Sequence, residues 1–172
     1  DLSLSMSDYR AGERTFQLLT QAAGRAGRGS RPGEVVIQTY DPEHYAIEAS
    51  AAQDYEAFYE KEIRYRSLMG YPPVENLMAV LAACEDEALL EKACKYLKEY
   101  ILRIKGQAQL NVIGPASPGV DKIKDIYRRV VYVKAPEYRT LVVLKDRMEQ
   151  YIEINSGFQK MRIQFDFNPM NL

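Results

Sequence analysis

The chain has no tryptophan, one histidine and two cysteines among its 172 residues, and each shortage removes a class of chemistry. His44 has no second histidine with which to build a metal site or a proton relay, so it reads as structural. Cys84 and Cys94 form no CxxC pair and no zinc-ligand set, and are expected as small buried hydrophobes, not as a disulfide. No apolar run approaches the roughly 20 residues that span a bilayer, and no signal-peptide pattern opens the sequence. A cytoplasmic protein without membrane contact is expected. Also missing are a GxxxxGK[ST] phosphate loop and an acidic magnesium box, so no nucleotide-holding element is legible. Asp1 falls inside an apolar-polar alternation, Asp1-Leu2-Ser3-Leu4, which suggests a piece of a longer protein.

What is present is ordinary in bulk and uneven in detail. Apolar residues make up 47% of the chain, enough for a packed core. A net charge of −1 argues against wholesale nucleic-acid binding, but it conceals a strong segregation. Residues 10–31 carry five arginines against one glutamate, residues 41–62 one lysine against seven acids, and residues 121–139 six cations against three acids. Local fields of this kind steer a polyanion whatever the total.

The stretch with the sharpest chemistry is Gln21-Ala22-Ala23-Gly24-Arg25-Ala26-Gly27-Arg28-Gly29. A helix expected over Ala11 to Ala23 ends there. The glycines clear side chains from the backbone, and two arginines three residues apart face one way, as a phosphate-sensing turn requires. Five specified residues, each at about 5 to 7% natural frequency, recur by chance about once per million positions. The bland alternative is a basic, glycine-rich loop that caps a helix.

Downstream, Glu34-Val35-Val36-Ile37-Gln38-Thr39-Tyr40 reads as a strand by its β-branched content. It would need neighbours for its ladder that this chain does not offer. Two acidic helices follow, Tyr45 to Ala52 and Asp54 to Met69. Tyr55, Tyr59 and Tyr65 on the second invite a base-stacking role, but aromatics at helical spacing are more often packing. Gly70-Tyr71-Pro72-Pro73 ends the helix and marks a boundary. Beyond it the periodicity gives strand Leu77–Cys84, helix Glu87–Lys105, strand Leu110–Ala116, strand Arg129–Lys134, a helix from Pro136 to Asn155, and a final strand in which Met161, Ile163, Phe165 and Phe167 alternate with polar residues. That order, βαββαβ, is the ferredoxin-like arrangement of an antiparallel sheet with two helices on one face. The fold class is thus α/β (α+β).

The nine-residue stretch resembles motif VI of the superfamily 2 helicases, QxxGRxGR. Its flanks narrow the resemblance: Asp8-Tyr9-Arg10-Ala11-Gly12-Glu13-Arg14-Thr15-Phe16, Pro32-Gly33-Glu34-Val35-Val36-Ile37, Pro42-Glu43-His44-Tyr45, Tyr59-Glu60-Lys61-Glu62-Ile63-Arg64-Tyr65-Arg66 and Tyr71-Pro72-Pro73 together look like the primosomal replication-restart DNA helicases of bacteria. The likeness covers essentially the whole chain. It implies that residues 1–40 are the tail of RecA-like helicase lobe 2, residues 41–73 an acidic helical connector, and residues 74–172 the ferredoxin-like C-terminal domain. It further implies an ATP-dependent 3′-to-5′ helicase that recognises stalled forks and D-loops. Its partners would be forked or single-stranded DNA, single-strand-binding protein and other primosome proteins.

By the same resemblance Arg25 and Arg28 contact the γ-phosphate of ATP, Gln21 couples nucleotide to lobe closure, and Gly24 and Gly27 permit the turn. A permanently charged, planar guanidinium stabilises charge on a transferring phosphoryl group. ATP and magnesium are therefore cofactors of the parent protein, as is zinc, whose cysteine ligands lie outside this chain. The chain alone is expected to be inactive.

A second candidate is Lys122-Ile123-Lys124-Asp125-Ile126-Tyr127-Arg128-Arg129. In one reading Lys122, Lys124, Arg128 and Arg129 contact phosphates while Tyr127 stacks on a base. In the other it is a solvated hairpin with Tyr127 covering the sheet edge, and the ferredoxin-like domain is a protein-docking module without nucleic-acid contact. The pocket for the acidic tail of single-strand-binding protein is not placed by the sequence; Lys134 and Arg139 are both cations that suit it.

Overall fold

The computed structural model describes residue 4 and residues 8–26 and 33–170, and divides at Met69/Gly70 into two units.

The first unit is helical. Helix α1 spans Ala11–Ala26, α2 spans Tyr45–Ala52 and α3 spans Tyr55–Met69. His44 caps α2, its Nδ1 accepting from the Ala46 amide at 3.1 Å, which satisfies one of the orphan donors of the first turn. Phe16 and Phe58 stack with centroids 4.3 Å apart over buried Ala46 and Ala49. Beside this small apolar centre lies a charged one. Arg66 donates from Nε to Glu62 at 2.7 Å and from Nη2 to Glu13 at 2.8 Å, and Tyr45 donates its hydroxyl to Glu62 at 2.6 Å. Gly12 is required there: a Cβ would sit 2.6 Å from the Tyr45 hydroxyl and 2.9 Å from Glu62 Oε2.

Three expectations change in this unit. Helix α1 runs on to Ala26, so Gly24 and Arg25 lie in its last turns and not on a turn beyond it. Alanines at positions 22, 23 and 26 outweigh the roughly 1 kcal/mol that one helical glycine costs. The strand expected over Glu34–Tyr40 is absent: residues 33–39 have no regular structure, and Val36 and Tyr40 are 84% and 98% exposed. Among the described residues this unit has no strand, so residues 34–40 have no ladder to join. Tyr55, Tyr59 and Tyr65 pack only at the surface, all three exposed, because the interior side of α3 presents Phe58, Glu62 and Arg66. Tyr55 is tilted against Phe16 at 6.1 Å and stacked on Tyr59 at 6.2 Å.

The second unit carries the sheet. Its elements are β1 (Asn76–Cys84), α4 (Glu87–Ile104), β2 (Asn111–Ala116), β3 (Lys122–Ile123), β4 (Ile126–Ala135), α5 (Tyr138–Ile154), a short 3-10 turn (Ser156–Phe158) and β5 (Arg162–Phe167). The main strands lie in the order β2-β4-β1-β5, all antiparallel, with β3 folded back on β4. This is the βαββαβ connectivity read from the sequence. Asp86 starts α4 by accepting from the Leu89 amide at 2.9 Å, and Gly106, at φ 56°, follows its end.

Strand alternation gives the sheet two unlike faces. Val80, Ala82, Cys84, Val131, Val133 and Ala135 face the helices and pack with Leu90, Leu97, Ile101, Leu141 and Met148 into one core. Both cysteines are free and buried in that core, and burial pushes the Cys94 thiol up to about 11. The other face bears Leu77, Ala79, Leu81 and Ala83 of β1, flanked by Arg128, Val130, Tyr132 and Lys134 of β4 and by Arg162, Gln164 and Asp166 of β5.

The charged centre of the first unit carries a pH signature. Burial by itself would raise the Glu13 carboxyl, but hydrogen bonds from Arg10 and Arg66, with their charges, outweigh it and hold Glu13 below its ordinary value. A carboxyl with a depressed folded value contributes stability that is present above its unfolded value and lost as pH falls through the folded one. Comparing melts of the chain with those of Glu13→Gln across an acid titration, the gap between them is expected to be widest above about pH 5 and to close below about pH 4. A gap that widens on acidification contradicts this network.

Candidate functional sites

Helix α1 presents the first site. Gln21 and Arg25 lie four residues apart on its exposed side, one above the other. A Cβ on Gly24 would meet nothing within 4 Å, so the packing of this unit does not explain a glycine there. Gly27 and Arg28 lie outside the described residues. What fixes α1 from behind is the Glu13–Arg66–Glu62 centre, aided by Asp8, which accepts from the Arg10 amide at 3.0 Å and pairs with Arg14 at 2.8 Å.

The second site is the hairpin of β3 and β4. Ile123 and Ile126 face each other across a two-residue turn in which Lys124 (φ 48°) and Asp125 (φ 64°) both adopt left-handed backbone. That is the dihedral pattern of a type I′ turn, whose twist matches the strands it joins. Neither residue is glycine, so the tip holds about 1 kcal/mol or more of strain per residue.

Strand alternation splits the cations that the sequence placed together. Tyr127 and Arg129 point to the helix side. Tyr127 packs against the core with the Lys122 ammonium 4.7 Å above its ring. Lys122 is tied to Asp125 at 3.0 Å, a bond that raises its pKa. Arg129 donates to Glu87 at 2.6 Å and to Glu91 at 3.1 Å on α4, and its side chain is only 13% exposed. Arg128 points the other way and donates to the Val120 carbonyl.

With Arg128 lie residues that sequence proximity did not suggest. Arg128 and Arg162 both register against Ala83, on either side of it, so the two arginines share one row across three strands. With Lys124 and Lys160 they line a cavity of about 780 Å³ at this end of the sheet. Glu85 and Asp86 also border it, and Asp86 is committed to its capping bond. Among the described residues Lys124, Arg128, Lys160 and Arg162 take no part in the unit's ion pairs. The signal for Arg162 was present in the alternation of β5, which turns Ile163 and Phe165 inward and leaves Arg162 and Gln164 on the far face.

A third feature sits on the helix side. Ile104, Leu110, Val143 and Leu144 line a hollow of about 280 Å³ together with three cations, Lys105, Arg139 and Arg147, and one carboxylate, Glu137. Lys134 does not reach it as an exposed cation: it is 6% exposed, with its ammonium 3.9 Å over the Tyr71 ring. Burial lowers its pKa, opposed by the Glu75 charge.

An antiparallel βαββαβ unit with a basic groove, preceded in the chain by a helical unit, defines an α+β module. The chain belongs to the family of the primosomal protein N C-terminal domain, whose model matches residues 67–170. It is similar over its length to proteins named replication restart protein PriA: 34% identical over 98% of this chain to that of Bacillus subtilis (strain 168), and 34% over all of it to that of Synechocystis sp.. The Chlamydia trachomatis protein of that name is 34% identical over 99% of this chain. The chain spans about a fifth of the length of these curated relatives.

Proposed function

We propose that this chain is the C-terminal part of a replication-restart DNA helicase, in which the first unit completes an ATP site and the second binds DNA and a protein partner. The likeness to replication restart proteins over nearly the whole chain is what carries the reading. Arg25 and Arg28 act on the γ-phosphate of a magnesium-bound ATP held by another lobe, and Gln21 transmits its presence. Gly24 and Gly27 leave room for that lobe's approach, and the open space around Gly24 fits the role. Zinc belongs to a part of the parent protein outside these residues. The reaction assigned to the parent is 3′-to-5′ unwinding at stalled forks and D-loops.

In the second unit Lys124 and Arg128 are the hairpin cations best placed for phosphates, since no carboxylate holds them. Lys122, Tyr127 and Arg129 support them, one by covering a ring, one by packing and one by tying β4 to α4. The hollow lined in part by Lys105, Arg139 and Arg147 has the chemistry that an acidic, apolar tail of single-strand-binding protein requires.

Three outcomes test this. The chain alone is expected to hydrolyse no ATP, whereas Arg28→Ala in the parent protein lowers turnover by about a thousandfold or more; hydrolysis by the isolated chain, abolished by Arg28→Ala, contradicts it. The 172-residue chain is expected to bind forked DNA at 50 mM salt with an affinity that falls steeply by 200 mM, and a flat titration at low salt sinks the DNA assignment. A peptide of acidic residues ending in an aromatic carboxy terminus is expected to bind the chain and to lose about tenfold in affinity on Arg139→Ala; an unchanged isotherm removes the hollow as its site.

A further inference from the structure

The hairpin tip sets two properties that no phosphate contact needs beside one that such a contact does need. Ile123 and Ile126 are 47% and 41% exposed, although β-branched apolar residues paired across a strand are ordinarily sheltered. They stand at a turn whose two central residues accept left-handed backbone without glycine. The cavity that Ile123 and Ile126 help to line also takes in the four cations that the ion pairs leave out, Lys124, Arg128, Lys160 and Arg162. An apolar edge beside a basic groove is suited to a ligand with a flat apolar end and charged flanks.

We infer that this groove receives DNA at a junction between duplex and single strand: Ile123 and Ile126 lie against the exposed face of the terminal base pair, while Lys124, Arg128, Lys160 and Arg162 contact phosphates of the strands leaving it. This deepens the proposed DNA binding and rests on it. The geometry supports each part. Arg128 and Arg162 register on opposite sides of Ala83, two strand spacings apart, which is about 9 to 10 Å. That separation suits neighbouring phosphates better than one shared anion. Ala83, between them, offers no side chain long enough to block a backbone lying across the sheet. The isoleucines gain by covering a base pair that would otherwise face water, the use made of apolar wedges elsewhere in nucleic-acid recognition. Glu85 and Asp86 border the groove toward α4 and set its limit on that side, since a phosphate there meets like charge.

The test uses the 172-residue chain with three labelled DNAs of equal length: a fork, a blunt duplex and a single strand. Lys160→Ala/Arg162→Ala is expected to weaken binding to all three by about tenfold at low salt and to reduce the slope of log K against log salt by about 1.4 to 1.8. Ile123→Ser/Ile126→Ser is expected to remove most of the preference for the fork over the single strand, about tenfold, leaving single-strand affinity in place. Ile123→Val/Ile126→Val restores the preference, which separates an apolar contact from a damaged hairpin. Lys95→Ala/Arg103→Ala, with the same change in charge on the exposed side of α4 and outside both lined sites, leaves DNA binding within about twofold. If that control loses as much as Lys160→Ala/Arg162→Ala, or if neither groove variant changes binding while the parent chain binds, the groove is not the site, although DNA binding by the chain stands. If the parent chain binds none of the three DNAs, the groove and the DNA assignment fall together.

Discussion

Arg66 is the residue on which the first unit depends. Its guanidinium reaches Glu62 on its own helix and Glu13 on α1, and it lies 5.4 Å over the ring of Tyr9. Two carboxylates and one arginine, nearly out of water, form an arrangement whose desolvation cost is large and whose geometry must be good to offset it. The geometry is good: charge-assisted bonds of 2.7 and 2.8 Å, with the remaining Glu62 oxygen satisfied by the Tyr45 hydroxyl. Tyr45 is held protonated by burial and then by the adjacent Glu62 charge, which keeps it a donor. An apolar contact of equal size would tolerate sliding, whereas a guanidinium that bridges two carboxylates on different helices does not. Helix α1 is therefore held at a fixed height against α3, and with it the exposed row of Gln21 and Arg25. Gly12 has the same cause, since α1 comes too close to Tyr45 and Glu62 at that point to carry a side chain.

In the second unit the corresponding constraint is the two-residue period of a strand. Residues 122–129 look like one basic cluster when written in a line, but β4 sends neighbours to opposite faces and so to opposite fates. Arg129 is spent on Glu87 and Glu91, which tie the sheet to α4. Arg128, one residue earlier, faces the groove and meets a carbonyl. The same rule that divides this cluster assembles another from distant pieces, because β4 and β5 both flank β1 and bring Arg128 and Arg162 to one row.

These relations decide how much was legible. The helices, the βαββαβ order and the core-facing positions follow from periodicity, because apolar spacing states directly which side is buried. The strand at 34–40 failed because β-branched content reports a preference that only a neighbouring strand can satisfy. The tyrosines of α3 pack less deeply than their spacing suggested because the buried positions of that helix are partly charged: Glu62 and Arg66 occupy the interior, while Tyr55 meets Phe16 and Tyr59 at the surface. The groove was half legible. Lys124 and Arg128 were visible as charges, but Lys160 and Arg162 join them only through sheet register, which a single sequence does not state.

Charge availability is a finer guide than charge count. Residues 121–139 carry a net excess of three cations, yet Lys122, Arg129 and Lys134 are each committed within the fold, to an aspartate and a ring, to two glutamates, and to burial over Tyr71. A phosphate competing for Arg129 must displace two carboxylates already at hydrogen-bond distance. One approaching Arg128 or Arg162 displaces no carboxylate, at Arg128 competing only with the Val120 carbonyl, and the release of counterions is itself the main driving term for polyanion binding. The same argument explains why a chain with a net charge of −1 is compatible with a nucleic-acid surface. Many cations of the second unit are paired off, so the field that a polyanion would meet there is set by the few side chains whose charge the fold leaves unneutralised.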